Sequence, residues 1–169
     1  MSEKEPNNLL APLSTDAQRH QLLKLSILRG KSAFERLFKV SNTFRSGSIL
    51  FRYCLVPINE HTFTPKNNLQ TAFIAPKRLG NAVLRNRTKR LFRESFRTSN
   101  ADLHHFLEKN SIYLHLALIA RYPSPNFEYV KSHMRIGLNH LIENLAHDID
   151  TFQHSEEYKE VQQSPKNRI

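Results

Sequence analysis

The 169-residue chain has 25 Lys and Arg against 15 Asp and Glu, which gives a net charge of +10 and a pI near 10. This balance favours polyanionic partners, nucleic acid first among them. No stretch approaches the roughly 18 consecutive apolar residues of a membrane-spanning helix. The polar start of the chain lacks the features of a signal peptide. We therefore expect a cytoplasmic protein with no membrane partner.

Cysteine and histidine usage argues against metal and disulfide chemistry in the protein. The single cysteine, Cys54, excludes an internal disulfide or a Cys-rich metal site, and its apolar neighbours favour a core position. The nine histidines show no recognised metal-ligand spacing.

Composition along the chain predicts one folded domain with two tails. Residues 1–24 lack an apolar period and are expected to form a flexible N-terminal arm. Residues 25–146 should form the domain. Residues 147–169, rich in Glu, Gln, Lys and Asp, are expected to form a flexible C-terminal tail, apart from a continuation of the last helix.

The first predicted element is a short helix after Ser32. Ser32 and Glu35 have the spacing of a capping box. Phe34, Leu37 and Phe38 would share one face of this helix. Core packing is the simpler interpretation of these three residues, and an exposed aromatic strip is the alternative.

Three strands follow from alternating polarity and from proline breaks. Residues 48–56 alternate with a period of two and end at a proline. Residues 59–68 form a polar loop, and residues 69–75 form the second strand. Residues 111–120 give the strongest strand signal, with both faces largely apolar.

A last helix is predicted after residue 123. Ser124 would be its N-cap and Pro125 its first helical residue. Its apolar stripe, which should pack on the sheet, contains Phe127, Val130, Met134, Leu138, Leu141 and Leu145.

Residues 77–97 hold eight basic side chains and one acidic side chain, so they carry +7 of the total +10. If the segment forms a helix, its side chains fall into two arcs around the helix axis. The apolar arc contains Leu84, Thr88, Leu91, Phe92, Ser95 and Phe96, and the other contains Asn86, Lys89, Arg90, Arg93 and Arg97. The segment therefore predicts an amphipathic helix with a cationic exposed face.

This cationic face points to phosphate binding. Like charges three and four residues apart repel each other, and only Glu94 is available to relieve them. Phosphates would neutralise the charges in a bound state. An ordinary solvated helix is the first alternative. A membrane-surface helix is disfavoured because Thr88 and Ser95 interrupt the apolar arc.

The order of residues in this segment is specific. It begins with the basic pair Lys77-Arg78 and continues with a Gly-Asn-Ala-Val turn from residue 80. Arg85-Asn86-Arg87, a Lys-Arg pair and an Arg-Glu pair follow before residue 97. This order resembles the signature of the bacterial ribonuclease P protein family, and the resemblance extends from residue 28 to about residue 145. Thr88 stands where the family commonly has an aliphatic residue, but its hydroxyl can bond back to the preceding turn.

The resemblance implies a protein subunit of ribonuclease P, the ribonucleoprotein endonuclease that removes the 5′ leader of precursor tRNA and so generates the mature tRNA 5′ end. The catalyst is the RNA, so no catalytic residue is expected in the protein. The implied partners are ribonuclease P RNA and precursor tRNA, with a monomeric protein in a one-protein, one-RNA holoenzyme. The residues expected to bind the catalytic RNA are Arg85, Asn86, Arg87, Lys89, Arg90, Arg93 and Arg97. Those expected to bind the leader are Phe34, Phe38, Tyr53, Lys77 and Arg78.

The resemblance also implies a cofactor and a fold. The cofactor is Mg²⁺, bound mainly by RNA phosphates, with Asn86 as a weak candidate for a protein ligand. The implied fold is an α+β two-layer sandwich with a four-stranded mixed sheet, as in the second domain of a small-subunit ribosomal protein. Its helical crossover between parallel strands would be left-handed, against the general rule.

Two other functions remain open from the residues alone. A non-enzymatic RNA-binding protein, such as a ribosomal or chaperone-like protein, would show the same charge and amphipathicity. A protein-only nuclease would need an acid and base pair. Asp102, His104 and His105 lie in a predicted loop without a supporting pattern.

Overall fold

The computed structural model describes residues 27–56, 68–124 and 126–153, with side chains described to residue 149. The elements in chain order are α1 (Lys31–Lys39), β1 (Asn42–Ser46), β2 (Ile49–Val56), β3 (Leu69–Ile74), a 3-10 turn (Lys77–Leu79), α2 (Ala82–Arg97), α3 (Ala101–Lys109), β4 (Tyr113–Ala120) and α4 (Phe127–Gln153). The predicted arm, most of the loop at residues 59–68 and the end of the tail lie outside the described residues.

The four strands form one mixed sheet in the order β1-β2-β4-β3. β2 is antiparallel to β1 and to β4, whereas β3 and β4 are parallel. The parallel pair is joined through α2 and α3. The predicted α+β fold with a four-stranded mixed sheet is therefore confirmed, and the handedness of the crossover stays a prediction.

Helices cover both faces of the sheet. On one face, α2, α3 and α4 enclose the main core, whose largest fully buried side chains include Phe51, Phe92, Phe96, Leu116, Leu118 and Met134. On the other face, α1 contributes Leu37 to a smaller cluster with Leu28, Cys54, Ala72 and Ala117. The predicted core position of Cys54 and the coverage of both faces of β4 are confirmed.

Both predicted N-caps are wrong. Helix α1 begins at Lys31 after Gly30, whose φ is 88°, and no side chain caps it. The capping-box prediction failed because Ser32 lies inside the first turn. At α4, the side-chain oxygen of Asn126 accepts a 2.8 Å hydrogen bond from the backbone N–H of Tyr129. Ser124 instead places its hydroxyl 2.6 Å from that of Ser48, which ties the β2 hairpin to the start of α4.

The structure adds two elements that were not predicted and extends a third. Strand β1 pairs with β2, and α3 occupies the segment interpreted above as a loop. Helix α4 continues to Gln153, and the Asp148 carboxylate accepts a hydrogen bond from Tyr53. The folded part therefore extends past residue 146, because a side chain beyond that boundary contacts the sheet.

Candidate nucleic-acid interface

The residues before α2 set the start of this helix. Gly80 has φ +134°, a conformation that L side chains rarely adopt. The next residue, Asn81, accepts a 2.9 Å hydrogen bond from the backbone N–H of Leu84 through its side-chain oxygen and so caps the helix. Arg85 donates to the Gly80 carbonyl at 2.6 Å. The Gly-Asn-Ala order thus encodes the turn that orients the cationic helix.

One face of α2 is anchored in the main core. Thr88, Phe92, Ser95 and Phe96 are buried. The Thr88 hydroxyl donates a 2.9 Å hydrogen bond to the carbonyl of Leu84, as predicted from the helical pattern. Since the anchoring residues recur at three- and four-residue spacing, the helix cannot rotate without exposing two phenylalanines.

The predicted RNA-binding residues lie on the part of α2 that is not buried in the core. Asn86, Arg87, Arg90 and Arg93 are exposed, whereas Arg85, Lys89 and Arg97 are partly exposed. All seven residues are thus at least partly exposed on α2, and together we call them the α2 cationic face. Five of them form the predicted cationic arc, and Arg85 and Arg87 lie outside it.

Three of these arginines already have partners within the protein, the first being Arg85, which donates to the Gly80 carbonyl. Arg97 makes two hydrogen bonds to the carboxylate of Glu94, and this contact holds the pKa of Glu94 below its ordinary value. The Arg93 guanidinium lies 5.9 Å from the ring centroid of Phe73. Arg87 and Arg90 are the exposed arginines closest to the middle of the helix.

The electrostatics of α2 favour anions along much of its length. Its first turn contains no acidic residue, although acidic side chains are usually favourable at this positive end of the helix dipole. Because no acidic side chain offsets it, the positive end of the helix dipole adds to the positive charge of the arginines. A chain of phosphates would find both donors and positive potential along this surface.

A second surface lies where α1 crosses the sheet. Phe34 is half-buried and packs against the small cluster on this face, as does Ile74 at the end of β3. Phe38 is 50% exposed. Lys77 and Arg78 are exposed and follow Ile74 closely along the chain. We use the name α1 surface for these four predicted leader residues: Phe34 and Phe38 lie on α1, and Lys77 and Arg78 lie in the 3-10 turn after β3.

The structure does not bring Tyr53 to the α1 surface. Its side chain is 3% exposed and belongs to the main core, on the sheet face opposite α1. The prediction that Tyr53 lies beside Phe34 and Phe38 is therefore wrong. Its hydroxyl donates a 2.9 Å hydrogen bond to Asp148 of α4, which gives it a structural role.

Arg52, the residue before Tyr53, faces α1 and was missed. Its guanidinium carbon lies 4.9 Å from the ring centroid of Phe38. A charge count would have drawn attention to this region, because residues 27–56 hold six basic side chains and one acidic side chain. The positive charge is thus concentrated in two segments, not in one.

The residues considered above for metal or nuclease chemistry lie on α2 and α3. Within the described ranges, no group of three or more His, Cys, Asp or Glu side chains could hold a metal ion. Asn86 has basic neighbours on its helix face, so the residues around it do not fit a Mg²⁺ site. Asp102, His104 and His105 lie on α3, where burial lowers the pKa of His104.

A further concave region is unsuited to a polyanion. It has a volume of about 330 Å³ and lies between β1, β2 and the end of α4. Its charged side chain is Asp148, which is accompanied by Asn42, Tyr53, Asn144 and His147.

Among the described helices, none is long and apolar enough to cross a membrane.

Comparison with solved structures finds the Staphylococcus aureus RNase P protein, at 22% identity and a TM-score of 0.46, over 71% of this chain and 94% of that one. Another structure of that protein gives 23% identity and a TM-score of 0.42, over 73% and 92% of the two chains. A mutant of it with defective mRNA degradation activity gives 19% identity and a TM-score of 0.42, over 77% and 90%.

No curated protein matches the sequence. The sequence pattern of the family described as Ribonuclease P matches residues 22–141, which include α1, the whole sheet, the α2 cationic face and most of α4. The chain therefore belongs to the ribonuclease P protein family.

Proposed function

We propose that this chain binds the catalytic RNA of ribonuclease P through the α2 cationic face and the 5′ leader of precursor tRNA through the α1 surface. Family membership implies a subunit of a tRNA-processing endoribonuclease with an RNA partner. The main observation that supports RNA binding through α2 is the arrangement of side chains around this helix. The seven predicted RNA-binding side chains are at least partly exposed on this helix, and its buried stripe anchors it in the core.

The α2 cationic face suits a structured RNA because the helix that carries its charges is fixed in position. Burial of Phe92 and Phe96 holds the helix in one rotation, and the cap at Asn81 fixes its start. Arginine forks can each hold two phosphate oxygens. Such contacts position an RNA and supply affinity while carrying little sequence information. They would dock this subunit onto the RNA regardless of the tRNA being processed.

The α1 surface suits a single strand because it combines an exposed ring with cations. The half-exposed ring of Phe38 can stack on a base of any identity. Lys77 and Arg78 can follow the phosphate backbone. Leaders differ in sequence from one precursor to the next, so a sequence-tolerant surface fits this substrate. Tyr53, which is buried on the other face, is not part of the proposed leader site.

In this proposal the hydrolytic chemistry belongs to the RNA. Mg²⁺, held mainly by RNA phosphates, would supply activation of water and charge stabilisation at the cleaved bond. The protein neutralises phosphate repulsion and holds the leader, so that precursor tRNA binds more tightly than mature tRNA. We propose a monomeric protein in a cytoplasmic holoenzyme of one protein and one RNA.

The test is cleavage of a precursor tRNA by a bacterial ribonuclease P RNA at low magnesium, with and without this protein. We expect marked stimulation and cutting at the mature 5′ end, because added cations replace magnesium in neutralising phosphates. The protein incubated alone with the precursor is the control for protein-borne cleavage. A folded protein that binds RNA but stimulates neither of two RNA subunit types would contradict the proposal. That result would favour a non-enzymatic RNA-binding role.

A further inference from the structure

The guanidinium of Arg52 and the ring of Phe38 form a pair at the end of α1. Arg52 lies on β2, on the sheet face that α1 crosses, with its guanidinium carbon 4.9 Å from the Phe38 ring centroid. One of its terminal nitrogens donates a 2.9 Å hydrogen bond to the hydroxyl of Ser41 and lies 3.5 Å from the carbonyl oxygen of Phe38. Arg52 therefore contacts the ring, the end of α1 and the connection to β1.

These contacts restrict a side chain that would otherwise be mobile. Phe38 is 50% exposed and lies in the last turn of a nine-residue helix, where its ring has little apolar packing to hold it. A cation over an aromatic ring is attracted electrostatically by the electrons of the ring face. The planar guanidinium can stack on the ring while its nitrogens remain hydrogen-bonded. The ring is thus held in place with part of its surface open to solvent.

We propose that Arg52 is the positioning residue of a base-stacking platform whose contact surface is Phe38. The ligand class is an unpaired base of single-stranded RNA, and the inference rests on the proposed leader role of the α1 surface. A fixed ring binds a base with a smaller loss of conformational freedom than a mobile ring does. Since every base has an aromatic face, the platform tolerates any sequence.

The experiment uses the holoenzyme reconstituted with ribonuclease P RNA and measures affinity with cleavage suppressed. Three ligands are compared: precursor tRNA with a short leader, the same precursor with abasic leader nucleotides, and mature tRNA. The protein variants are Arg52→Gln, Arg52→Lys, Phe38→Ala and the combination of Arg52→Gln with Phe38→Ala. Arg135→Ala, which removes an exposed cation from the outer side of α4, controls for net charge.

We expect Arg52→Gln to weaken binding of the normal leader about fivefold, a fraction of what stacking of one base contributes. Binding of the abasic precursor and of mature tRNA should change little. Because Arg52 acts through Phe38, the double variant should bind no more weakly than Phe38→Ala alone. Arg52→Lys should give a smaller loss, since it keeps the cation and lacks the planar fork. Arg135→Ala should behave as wild type.

Three results would overturn the inference. The first is an unchanged affinity for Arg52→Gln. The second is an equal loss with the abasic leader, which would indicate phosphate contact. The third is that Arg52→Gln weakens binding by the same factor in the Phe38→Ala protein as in the wild type. If thermal unfolding shows that Arg52→Gln does not fold, the same affinities are measured for Arg52→Lys instead. The normal and abasic leaders are then compared, with and without Phe38→Ala. If the wild-type holoenzyme binds precursor and mature tRNA equally, the leader proposal itself fails, and the inference fails with it.

Discussion

The hydroxyl of Tyr53 in β2 donates a 2.9 Å hydrogen bond to the carboxylate of Asp148 near the end of α4. The same carboxylate oxygen accepts a 2.9 Å hydrogen bond from the side-chain amide of Asn42 in β1. Burial first, and then the hydrogen bond and charge of Asp148, raise the pKa of Tyr53 to about 12. One carboxylate thus ties the last helix to two strands.

The raised pKa of Tyr53 predicts that the folded protein loses stability at alkaline pH. The unfolded chain releases the Tyr53 proton near pH 10, the ordinary value, while the folded chain retains it to about pH 12. The contribution of Tyr53 to the free energy of unfolding is therefore complete below pH 10 and declines as the pH rises from 10 to 12. At about pH 11 the wild type should have lost roughly 1 kcal/mol relative to Tyr53→Phe.

The measurement is urea unfolding of both proteins at a series of pH values from neutral to alkaline. The Phe variant serves as the reference because every other titrating group is common to the two chains. At neutral pH it should be less stable than the wild type by about 1 kcal/mol, the contribution of a hydrogen bond. A difference in unfolding free energy that stays constant across the whole range would show that Tyr53 ionises alike in both states.

Gly137 of α4 packs against the ring of Phe51, so closely that a Cβ at this position would overlap the ring carbons. We expect Gly137→Ala to lower the free energy of unfolding by about 1–3 kcal/mol through overpacking. The better helix propensity of alanine, about 1 kcal/mol, offsets part of this loss. Urea unfolding measures the difference.

The neighbouring exposed position provides the control for Gly137→Ala. Ile136→Ala alters the same helix where the side chain is 54% exposed, and it should change stability little. In a Phe51→Leu background, Gly137→Ala should be less destabilising, because the smaller side chain leaves room for the methyl group. An equal loss in both backgrounds would show that the ring of Phe51 is not the obstacle.

The sequence predicted the elements whose pattern repeats over several turns or residue pairs. Strand β2 follows a period of two and β4 is a nearly continuous apolar run. Helix α2 separates its apolar and cationic sides over 16 residues. Strand β1 was missed because it is a five-residue edge strand in which only Phe44 and Ser46 are even partly covered. Helix α3 has a usable signal in Leu103 and Leu107, four residues apart and both buried, that was not recognised.

The part of the candidate site that lies on one helix, α2, was easier to predict from the sequence than the part where β2 and α1 meet. Five residues of the α2 cationic face recur over consecutive turns and were predicted from spacing, whereas Arg85 and Arg87 were expected only from the resemblance to the family. The face of β2 that meets α1 depends on how the sheet packs between helices. A period of two separates Arg52 from Tyr53 but does not indicate which of them faces α1. The pairing of β2 with β4 and the burial of Tyr53 give that answer.

Glu94 is the one acidic side chain in the cationic segment, and it holds Arg97 through two hydrogen bonds. Replacing it with Gln removes a negative charge from the RNA-facing helix and releases Arg97 from this ion pair. We expect binding to ribonuclease P RNA to tighten about two- to threefold at low salt, with a smaller gain as salt is raised.

Glu108→Gln removes the same charge from an exposed position on α3 and is the matched control for Glu94→Gln. Filter binding at several salt concentrations measures both variants against the wild type. If the two variants gain equally, the effect reflects net charge alone, and Arg97 has no particular role in docking.

The final prediction concerns Arg87 and Arg90, the exposed arginines near the middle of α2. If both contact phosphates, replacing them with Ala removes about two counterion-releasing contacts. The slope of log affinity against log salt should then become shallower by about 0.7–0.9 for each contact, or roughly 1.5–2 in all. Affinity for ribonuclease P RNA should fall most at low salt.

Lys109→Ala combined with Arg135→Ala removes two exposed cations outside the α2 cationic face and leaves the protein with the same net charge as the Arg87, Arg90 double variant. This control should keep the wild-type slope, because its two cations release no counterions in the docked state. An unchanged slope in the Arg87, Arg90 variant, or an equal change in both double variants, would remove α2 from the docking surface. Long-range attraction would then account for the affinity, since it depends on total charge and not on which helix carries it.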